Sequence, residues 1–131
     1  MGILDINLAD VPELTTVPAG TEVEVQISSL EQEESKASGN PMLSCRLKIL
    51  NEENVGSINS YLTLPIEADD DETKNSKLRR LKRFCESFGI DFANGIDLEA
   101  AVGKTSWAIV NEEISEEFGA KNTIKRFVAG R

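Results

Sequence analysis

The sequence of 131 residues contains no histidine. Histidine is the side chain that most often acts as a general acid or base near neutral pH, and it is a frequent ligand of zinc and haem iron. Serine–histidine and cysteine–histidine nucleophile pairs are excluded for the same reason. The missing imidazole therefore rules out a large share of hydrolytic and metal-dependent chemistry.

Cysteine and long apolar runs are also scarce. Cys45 and Cys85 form no CxxC pair, which favours two reduced core residues over a disulfide. The first residues, MGILDINLADVPEL, lack a positively charged start and contain acids, unlike a signal peptide. No stretch approaches the roughly 18 apolar residues of a membrane-spanning helix. We therefore expect an intracellular protein with no membrane partner.

Positive charge is scarce overall but concentrated in parts of the chain. The sequence has 14 Lys plus Arg against 23 Asp plus Glu, a net charge of −9, which argues against a general polyanion binder. All basic residues except Lys104 lie in three windows without an acid, namely 35–51, 73–85 and 118–131. Such segregation permits a local positive field on an acidic protein.

The hydrophobic pattern predicts one domain over residues 20–131, preceded by an irregular arm over residues 1–19 that contains Pro12 and Pro18. Alternating apolar residues predict strands, and an apolar stripe at helical spacing after the acids 69–72 predicts a helix that ends at Gly89. Asp97 is placed to cap a second short helical turn. The predicted strands cover residues 21–32, 42–49, 58–64, 104–117 and 123–129, with turns at 51–57 and 118–122.

Five strands with one main helix between the third and the fourth predict an all-β protein with the element order of the OB-fold. The OB-fold is a five-stranded Greek-key barrel, here β1-β2-β3-α-β4-β5. An open α+β sheet with the same element order is the main alternative.

Candidate binding residues follow from this fold, because OB barrels bind ligands on strands 2 and 3 and on the loops 1–2 and 4–5. Single-stranded nucleic acid requires cations for the phosphates and rings that stack on bases. The candidates at those places are Lys36, Arg46, Lys48, Tyr61, Lys121, Lys125, Arg126 and Phe127. Trp107 is a further candidate, although its apolar strand favours a core position.

Simpler interpretations compete with several of these assignments. Outward cations on strands are often only solvated, Tyr61 is placed either to stack or to cover the barrel, and Phe127 suits either face of its strand. The six cations of the predicted helix are the densest cluster, but such a run is usually a solvated face paired with nearby acids. Their sequence positions are 74, 77, 79, 80, 82 and 83.

Motifs for catalysis and metal binding fail on inspection. Gly103-Lys104-Thr105 is not a phosphate-binding loop, because Leu98 stands where the first glycine is required. The acidic run 67–72 lacks the glycine and the final glutamate of a calcium loop. No carboxylate pair is singled out by its spacing. We therefore expect no enzyme, no catalytic residue, no cofactor and no metal.

Several segments in order resemble one family. SKASGNPMLSCRLKILNEENVGSINSYLTLP, then CESFGI, VGKTSWAIVNEE and NTIKRFVA, resemble OB-fold single-stranded-DNA-binding proteins of bacteriophage replication and recombination regions. The resemblance implies protection of single-stranded DNA in the cytoplasm of an infected bacterium. By position it implies contacts from Lys36, Gly39, Asn40, Lys125 and Arg126. Many such proteins end in an acidic tail, whereas this sequence ends at Gly130-Arg131, so the member either lacks the tail or is trimmed.

The sequence thus predicts a single-stranded-DNA binder without base preference. Replication or recombination proteins are further expected partners, and a homodimer would compensate for the few aromatic rings. The alternative is an OB-fold interaction module that docks a replication or host protein through its acidic surface.

Overall fold

The computed structural model describes residues 2–117 and 119–128. Within these residues the chain forms a five-stranded antiparallel sheet with one long and one short helix. The elements are β1 (Glu22–Glu34), β2 (Pro41–Ile49), β3 (Ile58–Thr63), α1 (Asp71–Phe88), α2 (Leu98–Ala101), β4 (Thr105–Ser115) and β5 (Gly119–Val128). The prediction of a mainly β protein with its main helix between the third and fourth strands is confirmed.

The strands are ordered β3-β2-β1-β4-β5, so β1 is central and β3 and β5 are the outermost strands. β1 pairs with β2 from Val25 to Glu34, and with β4 only through Glu22–Gln26. The register shifts once in the β1–β2 pairing, where Ser28 is the extra residue in β1, and once in the β4–β5 pairing, where Lys125 is the extra residue in β5. Such bulges bend a strand and increase its twist.

One face of the sheet and one face of α1 form the core. The inward residues alternate along β1 and β2 as the pattern predicts: Val23, Val25 and Ile27 in β1, and Leu43, Cys45, Leu47 and Ile49 in β2. In β4 the inward residues include Ala108 and Val110. From α1, Phe84, Cys85 and Phe88 are buried against them. Burial of these apolar side chains is the main stabilising term of the fold.

The helix ends use the predicted capping residues. The Asp70 carboxylate accepts a hydrogen bond from the Thr73 backbone N–H at 2.7 Å, and this bond lowers the pKa of Asp70. Gly89 ends α1 with a φ of 68°, a left-handed conformation that favours glycine. Asp97 caps α2 by accepting from the N–H groups of Glu99 and Ala100.

The last hairpin is tighter than predicted. β5 begins at Gly119, paired with Ser115, whereas the sequence pattern placed a turn up to residue 122. Lys121 therefore lies within the strand, opposite Glu113. The predicted turn start at Phe118 and the predicted strand end at Ala129 lie outside the described residues.

A buried amide explains this difference and also attaches the N-terminal segment. Asn122 is 6% exposed, and its side chain accepts from Val17 N–H at 3.0 Å and donates to Val17 O at 2.8 Å. It also donates to Asn111 O at 3.1 Å. A polar residue that is typical of turns is thus a satisfied strand residue. A bridge between Thr15 and Val55 adds a second attachment.

Candidate nucleic-acid interface

Four cations surround a small cleft between β3, α1 and β5. Arg80 and Arg83 project from α1, and Lys125 and Arg126 from β5, around a cavity of about 250 Å³. The described residues that line it include no acid. Since α1 packs against the inner side of both outermost strands, it brings two of the basic windows together.

The floor of the cleft is apolar and aromatic. Phe84 is 1% exposed, and its ring centroid lies 4.9 Å from that of Phe88 and 5.5 Å from that of Phe127. The Phe88 and Phe127 rings are 5.3 Å apart in an edge-on arrangement. Leu62 and Ile124 complete the floor. Packed rings hold the backbone beneath the cations in one arrangement, which preorganises the charges above.

The electrostatics of the cleft follow from which cations are paired. Among residues 2–117 and 119–128, ion pairs within 4.0 Å link Lys77 with Asp69 and Lys121 with Glu113. The Lys77 ammonium lies 2.8 Å from Asp69, and this bond lowers the pKa of the carboxyl. The four cleft cations have no such partner in that part of the chain. A cluster of one sign over an apolar floor attracts anions such as phosphate.

A second concave surface joins two predicted residues. Arg46 of β2 and Lys121 of β5 line a cavity of about 390 Å³ together with Asn59 of β3 and residues 14–16. The Lys121–Glu113 contact of 3.9 Å is long and both side chains are more than half exposed, so Lys121 is only weakly engaged. Like the cleft, this cavity lies between β3 and β5.

A third surface joins Lys36 with Tyr61, but acids share it. Both residues line a cavity of about 560 Å³ that also includes Glu33 and Glu34. Tyr61 is 57% exposed on β3, and its ring is available to a ligand. The neighbouring carboxylates make this surface less favourable for phosphate than the cleft.

The remaining predicted residues are placed apart from these cavities or differently from the prediction. Lys48 is exposed on β2 opposite Gln26, and Asn40 is exposed in the β1–β2 loop. Phe127, which suited either face, packs inward against the helix rings. Gly39 has a φ of 74° in the same loop as Asn40, which accounts for glycine there.

The favoured core position of Trp107 is wrong. Ser106, Ala108 and Val110 are buried, so Trp107 lies on the opposite, outer face of β4 and is only half-buried. Its partner across β1 is Glu24. Residues 107–110 of β4 are all apolar, so the pattern does not show which face of the strand is inward. The small residues Ser106 and Ala108, and not the large ring of Trp107, are the ones that pack into the core.

Sequence reasoning left Arg80 and Arg83 out of the candidate site. The expectation that helix cations pair with nearby acids holds for Lys77 but not for these two residues. Helical spacing offered a signal, since positions 80, 83 and 84 share one face and Phe84 is apolar. The sequence pattern does not show that β5 packs beside this face of α1, which is the reason that Arg80 and Arg83 were not predicted as site residues.

The other reactive groups are inert. Among the described residues both cysteines are free and buried, and burial raises the pKa of the Cys45 thiol to about 12 and also raises that of Cys85. In the same part of the chain, no group of three or more carboxylate or thiol side chains is arranged to hold a metal. No described helix has the length and apolarity to cross a bilayer.

Comparison with known proteins places the chain in a family whose role is undefined. No curated protein matches the sequence. One family model matches residues 4–123, which covers the arm, all five strands up to the middle of β5, and both helices. The chain belongs to this family, which is described as "Protein of unknown function (DUF669)".

Proposed function

We propose that this protein binds single-stranded DNA without base preference and without catalysis. The observation that carries the proposal is the cleft of Arg80, Arg83, Lys125 and Arg126, which contains four cations and no described acid. Cations that follow the phosphates supply most of the affinity in sequence-independent binding. The bacteriophage resemblance suggests that the strands are those exposed during replication and recombination.

A path along two strands supports the proposal. The cleft and the Arg46–Lys121 cavity are both bounded by β3 and β5. From Ala120 to Phe127 the strand rises by about 3.3 Å per residue, so the two cavities together extend over roughly 20 Å. Six cations border this path, namely Arg46, Arg80, Arg83, Lys121, Lys125 and Arg126. We call it the β3–β5 path.

The proposed function includes a proposal about how the sheet closes. We infer an OB-type barrel in which β3 and β5 come together around α1. Its support is the strand order β3-β2-β1-β4-β5, whose two outermost strands contribute side chains to the same two cavities. OB barrels bind their ligands on strands 2 and 3 and on the loops 1–2 and 4–5, whereas the path proposed for this protein also uses α1 and β5.

The experiment is a titration of fluorescent oligothymidine over a series of salt concentrations. We expect binding at low salt that weakens linearly on a log–log plot, with a slope of about −0.7 for each phosphate contact. The variant Arg80→Gln/Arg83→Gln should therefore reduce the slope by about 1.4. The matched control is Lys74→Gln/Arg79→Gln, which removes the same charge from exposed positions of α1 outside the cleft.

Two results would contradict the proposal. One is the absence of binding at low salt up to tens of micromolar protein, a range in which even non-specific DNA binders are saturated at low ionic strength. The other is an equal loss of slope in the cleft variant and in the control, which would show that total charge rather than the cleft governs binding.

A second candidate function rests on the outer face of β1. Glu22, Glu24, Glu31 and Glu33 alternate along that face, with Trp107 beside Glu24. An acidic face with a half-exposed aromatic ring suits a basic surface of a replication or host protein. Co-purification that survives nuclease treatment and is lost in Glu24→Lys/Glu31→Lys would favour this function over DNA binding.

A further inference from the structure

An apolar groove lies on the side of α1 that faces away from the cationic cleft. It has a volume of about 490 Å³, and its walls include Leu64, Leu81, Ile96 and Leu98. Leu78 and Phe92 also line it and are 42% and 41% exposed. An open apolar groove of this size indicates a surface to be covered by another segment.

The charge beside the groove is positive. Leu78, Leu81 and Lys82 share one face of α1 because they are three or four residues apart, and Lys82 lines the groove. Lys82 is the cation of α1 that lines the groove, whereas Arg80 and Arg83 line the cleft on the opposite side of the helix. The groove therefore suits a segment that is apolar and acidic.

The N-terminal residues of this chain have that chemistry. Residues 2–14 form no helix or strand and include no cation, but include Asp5, Asp10 and Glu13. Their large apolar side chains are exposed to solvent: Ile3 by 92%, Leu4 by 79%, Ile6 by 58%, Leu8 by 70%, Val11 by 57% and Leu14 by 75%. Within the irregular arm predicted over residues 1–19, we restrict the name arm to residues 2–14.

The arm does not cover its own groove, because its large apolar side chains are exposed and so are Leu78 and Phe92 of the groove. Thr15 donates its backbone N–H to Asn54 O at 2.6 Å, beyond the C-terminal end of β2. The groove includes Leu43, near the opposite end of that strand. Leu43 and Ile49 are six residue steps apart along the strand, a span of about 20 Å. Fully extended, thirteen residues reach about 43 Å, which is enough for the groove of a neighbouring molecule as well as for the chain's own, so the oligomeric state decides between the two.

We propose that the arm of one copy docks into the apolar groove of a second copy, so that two copies exchange arms in a homodimer. Alternation places Leu4, Ile6 and Leu8 on one side of an extended chain, where they face the groove. In this arrangement the acids of the arm lie near Lys82, the cation that lines the groove. The proposal is independent of DNA binding.

The oligomeric state of the full chain tests the proposal. By analytical ultracentrifugation over a range of concentrations, we expect the parent to dimerise. The arm variant Leu4→Glu/Leu8→Glu and the groove variant Leu78→Glu/Phe92→Glu should each be monomeric. The control Val102→Glu/Ile114→Glu changes apolar residues that are 46% and 81% exposed outside arm and groove, and it should dimerise like the parent.

Mixing the two monomeric variants distinguishes arm exchange from any other dimer. The arm variant keeps an intact groove and the groove variant keeps an intact arm, so a mixture retains one of the two exchange contacts. We expect mixed dimers by native mass spectrometry, weaker than the parent dimer. Monomeric parent protein, dimerisation that persists in both variants, or an absence of mixed dimers would each overturn the proposal. Oligothymidine binding, measured separately, tests the proposed function and not the dimer.

Discussion

The two sides of the sheet differ in charge more than the composition suggests. Around β3, α1 and β5 four cations line a cleft without a described acid, whereas the outer face of β1 presents four glutamates. The net charge of −9 is therefore a difference between two surfaces, not a property of either. Under the proposed function, this separation of charge would attract an anionic strand to the cationic side and repel it from the acidic side.

The largest effect is expected on stability, from a change in the aromatic rings that form the floor of the cationic cleft. Phe84→Ala removes a ring that is 1% exposed and contacts two other rings. Such a deletion costs about 3–5 kcal/mol of the free energy of unfolding, since it leaves a cavity. Urea denaturation monitored by circular dichroism measures the loss. A change below about 1 kcal/mol would show that the ring cluster does not stabilise the cleft.

Reversing charges on each side tests the comparison directly. Arg80→Glu/Arg83→Glu should weaken oligothymidine binding about 100-fold, because two charged contacts at about 1.5 kcal/mol each are lost and replaced by repulsion. Glu24→Arg/Glu31→Arg changes the net charge by the same amount in the opposite sense on the outer face of β1. It should alter the affinity little at physiological salt, because screening extends over only about 8 Å. An increase of comparable size would mean that total charge, and not its arrangement around the cleft, determines the affinity.

The sequence predicts which residues face the core and where the cations concentrate along the chain, but it does not predict which of these segments become neighbours in the fold. Alternation correctly assigns inward residues such as Val25 and Leu47, because a half-buried strand imposes a period of two. The acid-free windows correctly indicate where cations concentrate. They do not show that Arg83 of α1 lies beside Lys125 of β5. That neighbourhood depends on the long-range pairing of β1 with β4 and on the packing of α1 against β5, not on local pattern.

The errors have local physical reasons. Trp107 suggested a core residue by its size, but the inner face of β4 is close to the other strands and accepts Ser106 and Ala108 instead. Asn122 suggested a turn by its polarity, but three hydrogen bonds to backbone groups satisfy it inside the fold. In both cases packing with distant segments overrides the local preference.

Tyr61 lies outside the β3–β5 path, on the surface that it shares with Lys36, Glu33 and Glu34, and it tests whether the strand extends to that surface. Tyr61→Ala should weaken oligothymidine binding by about 1–3 kcal/mol if its ring stacks on a base. The salt slope should stay unchanged, because a stacked ring releases no counterions. Tyr61→Phe keeps the ring and should bind like the parent. A lower slope in Tyr61→Ala, or a parent-like affinity, would place the DNA elsewhere than on the outer side of β3.

The smallest effect is expected from breaking the ion pair between Lys77 of α1 and Asp69. This change also tests whether DNA affinity depends on the position of a charge or on the total charge of the protein. Asp69→Asn removes the partner of Lys77, which lies 2.8 Å away, and should lower the melting temperature slightly at neutral pH. Because the hydrogen bond from Lys77 lowers the pKa of Asp69, its stabilising effect is complete above the ordinary carboxyl pKa of about 3.9. It is lost as the pH falls through the lower value of the folded protein, so the melting temperatures of parent and variant should converge in that range.

The same variant raises the net charge by one and frees a cation on α1 outside the cleft. If the arrangement of charge determines binding, the affinity of Asp69→Asn for oligothymidine and its salt slope should equal those of the parent. A tighter complex with a steeper slope would instead show that the whole of α1 attracts the strand. In that case Lys77 belongs to the binding surface, and Asp69 restrains it by holding its ammonium group.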